Sequence, residues 1–154
     1  MNPLRHMSML ASGLFLAVAV AIGGMVTPEG TELPERAAPV PLARDGRALL
    51  PVVVSPEASE DLRARASELT GFLERISGAS FEIVESRQPR GITLGTLDQF
   101  PDPALRQPLA IRNHHDGIEA FSIRSHDGNI RLLANTDLGV SHALYRFLEL
   151  LGCR

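Results

Sequence analysis

The tightest constraint on this chain is an abrupt change of apolar period at Ser55-Pro56. Before it, Ala48 to Val54 is an unbroken apolar run that follows Gly46, and its β-branched end, Val52-Val53-Val54, predicts a strand buried on both faces. After it, Leu62, Ala66, Leu69, Leu73 and Ile76 recur at spacings of 4, 3, 4 and 3. That is one stripe of a helix whose Glu60, Arg63, Glu68, Glu74 and Arg75 stay in water. Ser55 is the expected N-cap, with Pro56 at the first helical position, Glu57 beside the positive end of the dipole, and Gly78 as the left-handed stop. A strand buried on both faces that feeds an amphipathic helix requires a parallel neighbour reached by a right-handed crossover.

The rest of the chain supplies the neighbours. Phe81 to Glu85 alternates as a half-buried strand, and Gly91 to Gly95 reads as another after the break at Gln88-Pro89-Arg90. Thr96 to Asp116, with Pro101, Pro103 and Pro108, is expected as a loop with one helical turn. Ile118 to Ser125 and Ile130 to Ala134 flank His126-Asp127-Gly128-Asn129, where Asp-Gly between two strand-like runs signals a hairpin. Asn135, Thr136 and Asp137 are candidate N-caps for a second helix with Val140, Leu144, Phe147, Leu148 and Leu151 on its apolar face and Gly152 at its stop. The order is β-α-β-β-β-β-α. The expected fold is α/β (α+β), a small mixed β-sheet with two main helices on one face.

Upstream, Arg5 and His6 precede an uncharged run from Met7 to Val26 that ends in small residues, the pattern of an export signal. A cleaved signal peptide is the first reading, with Ala19-Val20-Ala21 fitting the cleavage rule and Gly23-Gly24 allowing a later cut. A retained membrane anchor and a buried helix are the alternatives, the run being short for a full span. Residues 27–47, with Pro28, Pro34, Pro39 and Pro41 among glycines and charges, are expected as a linker. The division is 1–26 signal peptide or anchor, 27–47 linker and 48–154 folded domain. The folded part is expected outside the cytoplasm: periplasmic, extracellular or anchored, touching a membrane only through the first segment if it is uncleaved.

Several chemistries are excluded or left without residues. With 44% hydrophobic and 21% charged residues the chain is globular rather than disordered. Its net charge of −3 comes with no basic stripe, so nucleic acid is not an expected partner. All 15 basic residues are arginine, which removes Schiff-base lysines and phosphate-loop lysines. The one cysteine, Cys153, cannot form an internal disulfide. His114-His115-Asp116 is the densest ligand cluster, but no third or fourth zinc ligand stands at a suitable spacing, so a solvated loop is expected. His126 in the turn and His142 on the second helix have no sequence-near catalytic partner. There is no GxSxG elbow or SxxK pair, and Gly91 to Gly95 lacks the lysine and the helix of a phosphate loop. Every acid falls on a helix surface, in the linker or in a turn, where solvation is expected. No catalytic, cofactor-binding or metal residue is assigned, and no cofactor is expected.

The order and spacing of Asp116-Gly117-Ile118-Glu119-Ala120-Phe121-Ser122-Ile123, the Asp127-Gly128-Asn129 hairpin, Ala134-Asn135-Thr136-Asp137-Leu138-Gly139-Val140 and Leu144 through Leu151-Gly152-Cys153-Arg154 carry a resemblance. So do Phe72 to Ala79 and Ile92-Thr93-Leu94-Gly95. Together they resemble the N-terminal domain that precedes the catalytic barrel in bacterial α-glucuronidases and β-hexosaminidases and in related exported glycosidase-type proteins, over nearly the whole folded region. The resemblance implies a non-catalytic accessory domain of an exported carbohydrate-active enzyme, cut before the barrel that would supply the catalytic acids, so that this chain alone is not expected to hydrolyse a glycoside. A C-terminal catalytic barrel is then the expected partner, docking on apolar surface left by Leu148, Leu150, Leu151 and Cys153. The rival reading is a stand-alone extracytoplasmic module that binds a carbohydrate or a protein through the Thr96 to Asp116 loop.

Overall fold

The computed structural model describes residues 39–153 together with the backbone of Leu16–Val18. The rest of the expected export segment 1–26, the linker as far as residue 38 and Arg154 lie outside the described residues. The elements are β1 (Leu16–Val18), β2 (Val40–Arg44), β3 (Arg47–Ala48), β4 (Val52–Val54), α1 (Glu60–Ser77), β5 (Ile83–Glu85), β6 (Ile92–Thr96), α2 (Pro103–Arg106), β7 (Phe121–His126), β8 (Asn129–Ala134) and α3 (Asp137–Leu150).

The main sheet has five strands in the order β5-β4-β6-β8-β7. β5, β4, β6 and β8 run parallel, as the period change at Ser55 requires of β4, and β7, antiparallel to β8 through the hairpin, makes the sheet mixed. α1 and α3 pack on each other and on one face of this sheet. Leu62, Leu69, Leu73, Leu144 and Phe147 from the helices are fully buried against Val52, Val54, Ile92, Leu94, Ile130 and Leu132 from the strands. Each such side chain contributes roughly 1.5–3 kcal/mol by leaving water. On the opposite face Val53 and Leu133 are covered by Leu97, Phe100, Leu105 and Leu109, from the segment that contains α2.

Two Asp-Gly turns close two hairpins. Asp127 and Gly128, at φ 48° and 72°, join β7 to β8 as expected, and glycine is needed there because a β-branched residue at positive φ is strained. Asp45 and Gly46, at φ 51° and 71°, repeat the device between β2 and β3. This second hairpin lies in the expected linker 27–47. Val40, Leu42 and Ala43 are buried, so from residue 40 the segment is part of the folded core. Proline density suggested a linker, but Pro39 precedes β2 and Pro41 lies within it opposite Ala17, at the register shift in the pairing with β1, where a missing N–H is tolerated. β1 lies antiparallel on the other side of β2, completing a small sheet.

Two boundaries also move. The expected strand Ala48–Val54 is split, with Ala48 ending the hairpin and only Val52–Val54 entering the main sheet. The first helix is capped by Ser59, whose Oγ accepts from Leu62 N at 3.1 Å, instead of Ser55. Ser55 closes a turn of its own: its Oγ accepts from Glu57 N at 3.1 Å and donates to Glu57 Oε2 at 3.0 Å. A serine can satisfy nearby backbone in such a turn as readily as at a helix end.

α3 begins at Thr136, which accepts from Gly139 N at 3.0 Å and donates to Ile118 O at 2.6 Å. It ends with Gly152 N donating to Glu149 O at 2.9 Å and Cys153 N to Leu148 O at 3.0 Å, the paired bonds of a Schellman motif. Gly139 seats the helix on the sheet, because a Cβ there would stand 2.7 Å from Ala134 Cβ and 3.0 Å from Ala120 O. The apolar patch expected at the end of this helix is mostly absorbed: Leu148 is buried, Leu151 and Cys153 pack against the core, and Leu150 protrudes. Tyr145 is half exposed and ties the helices together by hydrogen bonds with Arg65 and Glu68. Among the described residues no helix is long and apolar enough to cross a membrane.

Candidate functional site

Strand alternation sorts the β7–β8 hairpin between the two faces. Phe121 and Ile123 on β7, with Ile130, Leu132 and Ala134 on β8, join the core beneath the helices. Ser122, Arg124 and His126, with Arg131 and Leu133, therefore face the other way. The two-residue turn fixes the register, placing His126 opposite Asn129, Arg124 opposite Arg131 and Ser122 opposite Leu133. A cleft of about 370 Å3 runs between this hairpin and the 101–105 segment, walled by Pro101, Pro103 and Leu105 on one side and by Ser122, Arg124 and Arg131 on the other.

The cleft is cationic. Directly opposed like charges on neighbouring strands are destabilising, yet two arginines are register partners here. Arg131 is 25% exposed and its nearest carboxylate, Asp102, is 18% exposed, with Nη1 3.9 Å from Oδ2. The other oxygen of Asp102 caps α2 by accepting from Ala104 N at 3.0 Å. Nε of Arg131 is buried and has no hydrogen-bond partner, and the same holds for Oγ1 of the fully buried Thr93 beside it in the parallel register. Arg124 is half-buried and makes no ion pair or hydrogen bond with the described residues. His126 lines the rim, its Nε2 3.2 Å from Asp127 Oδ2. Arg131 also borders two further recesses, of about 380 Å3 with Arg90 and about 200 Å3 with Arg87. Arg87 is already paired with Glu57.

This arrangement suits holding an anion through planar, forked donors. Hydrolysis of a glycosidic bond by the usual route takes two carboxyl groups, and among the described residues Asp102 is the one carboxylate lining the cleft between the hairpin and the 101–105 segment. Asp102 also departs from the expectation that every acid is solvated: its capping role and the neighbouring Arg131 keep it mostly buried.

His114, His115 and Asp116 lie in an exposed loop in which Asn113 and His114 take positive φ and Asn113 Nδ2 donates to Asp116 Oδ2 at 3.2 Å. Among the described residues no three His, Cys, Asp or Glu side chains are grouped to hold a metal ion. His142 lies on α3 with Nδ1 3.8 Å from Glu119 Oε2, remote in sequence but adjacent in the fold. Gly91 N donates to Asn129 Oδ1 at 2.7 Å, tying β6 to the hairpin turn. The opposed arginines, absent from the sequence-based candidates, were accessible to sequence reasoning. A two-residue turn at Asp127-Gly128 pairs residues whose numbers sum to 255, and 124 with 131 is one such pair.

No protein-family model matches the chain, and no curated protein matches it. A solved structure of a family GH115 4-O-methyl-α-glucuronidase with specificity for decorated arabinogalactans is similar in fold, with a TM-score of 0.51 and 22% sequence identity. The match covers 71% of this chain and 14% of the glucuronidase chain, so this chain spans a small part of that protein. At that identity the likeness is one of fold: the mixed sheet with its helices recurs within a glycoside hydrolase.

Proposed function

We propose that this chain is a non-catalytic accessory domain of an exported carbohydrate-active enzyme of glycoside hydrolase type, working beside a separate catalytic barrel. The observation that carries the reading is the fold shared with a portion of the GH115 glucuronidase, found independently of the sequence resemblance to the domain that precedes the barrel in α-glucuronidases and β-hexosaminidases. Export through the 1–26 segment belongs to the same proposal and is supported by its uncharged run after Arg5 and His6. A second reading, a stand-alone glycan- or protein-binding module, is favoured by the cleft, whose wall comes from the 101–105 part of the loop where binding was expected.

The test is to assay the purified full chain on a panel of aryl glycosides and, in parallel, on glycan arrays. The expected result is retention of one or more glycans with no turnover. Turnover that tracks the protein through purification and disappears in Asp102→Asn would overturn the accessory reading.

A further inference from the structure

We propose that the cleft lined by Arg124 and Arg131 is an anion site that takes a carboxylate, and that its ligand is a sugar ring carrying that group, a uronate. The sugar part rests on the accessory-domain reading; the carboxylate part rests on the cleft itself.

Three observations support the anion. Two arginines are directly opposed in register on neighbouring strands and line the same cleft, a placement that works against folding and is relieved by a shared negative partner. The Arg131–Asp102 pair does not satisfy them: at 3.9 Å it lies beyond hydrogen-bonding distance, and half-buried Arg124 has no partner among the described residues. Finally, Nε of Arg131 is a buried donor without an acceptor, which is costly unless something accepts from it. A carboxylate fits this set better than a single-point anion because a guanidinium presents parallel N–H donors matched to two coplanar oxygens. The walls suit the rest of a sugar ring: the exposed Pro101 and Pro103 offer apolar surface, and Ser122 and Ser125 offer hydroxyls.

The experiment titrates the full chain, labelled with nitrogen-15, with glucuronate, glucose and acetate, following amide shifts at residues 102, 122, 124 and 131. It repeats the glucuronate titration on Arg124→Gln, Arg124→Lys and, as a distant control, Arg146→Gln. Arg146 lies on α3 and pairs with Glu149, away from the cleft. Glucuronate is expected to shift the cleft amides and to bind at least tenfold more tightly than glucose. Arg124→Gln should weaken it at least tenfold, Arg124→Lys should weaken it less, and Arg146→Gln should leave it unchanged. Because Arg124→Gln removes a like-charge contact, its unliganded denaturation midpoint is expected to stay level or rise, so loss of binding cannot be put down to unfolding. Acetate binding as tightly as glucuronate, with the same loss in Arg124→Gln, would support the carboxylate site and sink its assignment to a sugar. Glucose binding as tightly as glucuronate would overturn the carboxylate site while leaving the carbohydrate reading standing. No response at the cleft to either anion, or equal binding by Arg124→Gln, would overturn the proposal.

Discussion

Gly139 sits where α3 meets the sheet, and its hydrogen in place of a methyl group sets how closely the helix can approach. An alanine there would put its Cβ against Ala134 Cβ and against the carbonyl oxygens of Ala120 and Ile118, of which the two carbonyls are backbone and cannot swing away. Overpacking of this kind costs about 1–3 kcal/mol, and Gly139→Ala is expected to lower the stability read from urea denaturation by that amount. Gly128→Val is expected to cost about 1–3 kcal/mol for a different reason, since nothing lies within 4 Å of its Cβ and the whole penalty is positive φ. An unchanged midpoint for Gly128→Val would mean that the turn is not held in this conformation. Both glycines were legible in the sequence, one as half of an Asp-Gly turn and one at the start of the second helix, just after its candidate N-caps. The opposed arginines were equally derivable from that turn. What the sequence could not give is the burial of Asp102, because its neighbour Arg131 lies far along the chain and only the fold brings them to 3.9 Å.

At the scale of elements, the starts of the two long helices are joined by one hydroxyl. Ser59 Oγ accepts from Leu62 N within its own helix and donates to Asp137 Oδ2 at 2.7 Å in the first turn of the other. The Asp137 carboxylate thereby serves two positive helix ends, its own and that of α1, an arrangement that macrodipoles favour. Ser59→Ala is expected to cost about 1–2 kcal/mol, the upper part of the usual N-cap range, because two bonds are lost. A double-mutant cycle with Asp137→Ala should give a coupling of at least about 0.5 kcal/mol, and additive single effects would show that the contact contributes nothing. The apolar stripe Leu62, Ala66, Leu69 and Leu73 fixed the existence and buried face of α1 from sequence. Its start was misplaced because Ser55 and Ser59 are both competent caps and four residues apart. The choice between them is made by a partner 78 residues away, which local pattern cannot see.

For the whole molecule, the question is where the fold begins. Composition placed the boundary at Ala48, since prolines and charges dominate the preceding stretch and the apolar residues there are few. The fold starts earlier: Leu42 is fully buried, Val40 and Ala43 are nearly so, and Leu42 O accepts from Leu49 N at 2.8 Å, bolting the β2–β3 hairpin to the chain that enters the main sheet. Their companions in the core are residues of the helices and of β4, so the hairpin belongs to the same hydrophobic unit as the sheet. A protein beginning at Ala48 would return Val40 and Leu42 to no contact at all and expose the surface they cover. At roughly 1.5–3 kcal/mol for each large apolar side chain, the loss is about 3–6 kcal/mol. For a domain whose total stability is of the order of 5–15 kcal/mol, that is a large share. Proteins spanning 39–154 and 48–154 are therefore expected to differ by several kcal/mol in denaturant unfolding, the shorter one showing the earlier midpoint and faster proteolysis, with a separate Leu42→Ala change in the longer one recovering about 2–5 kcal/mol of the same loss. Coincident unfolding curves for the two lengths would return the boundary to Ala48 and leave the hairpin as an attachment to the domain and no part of its core.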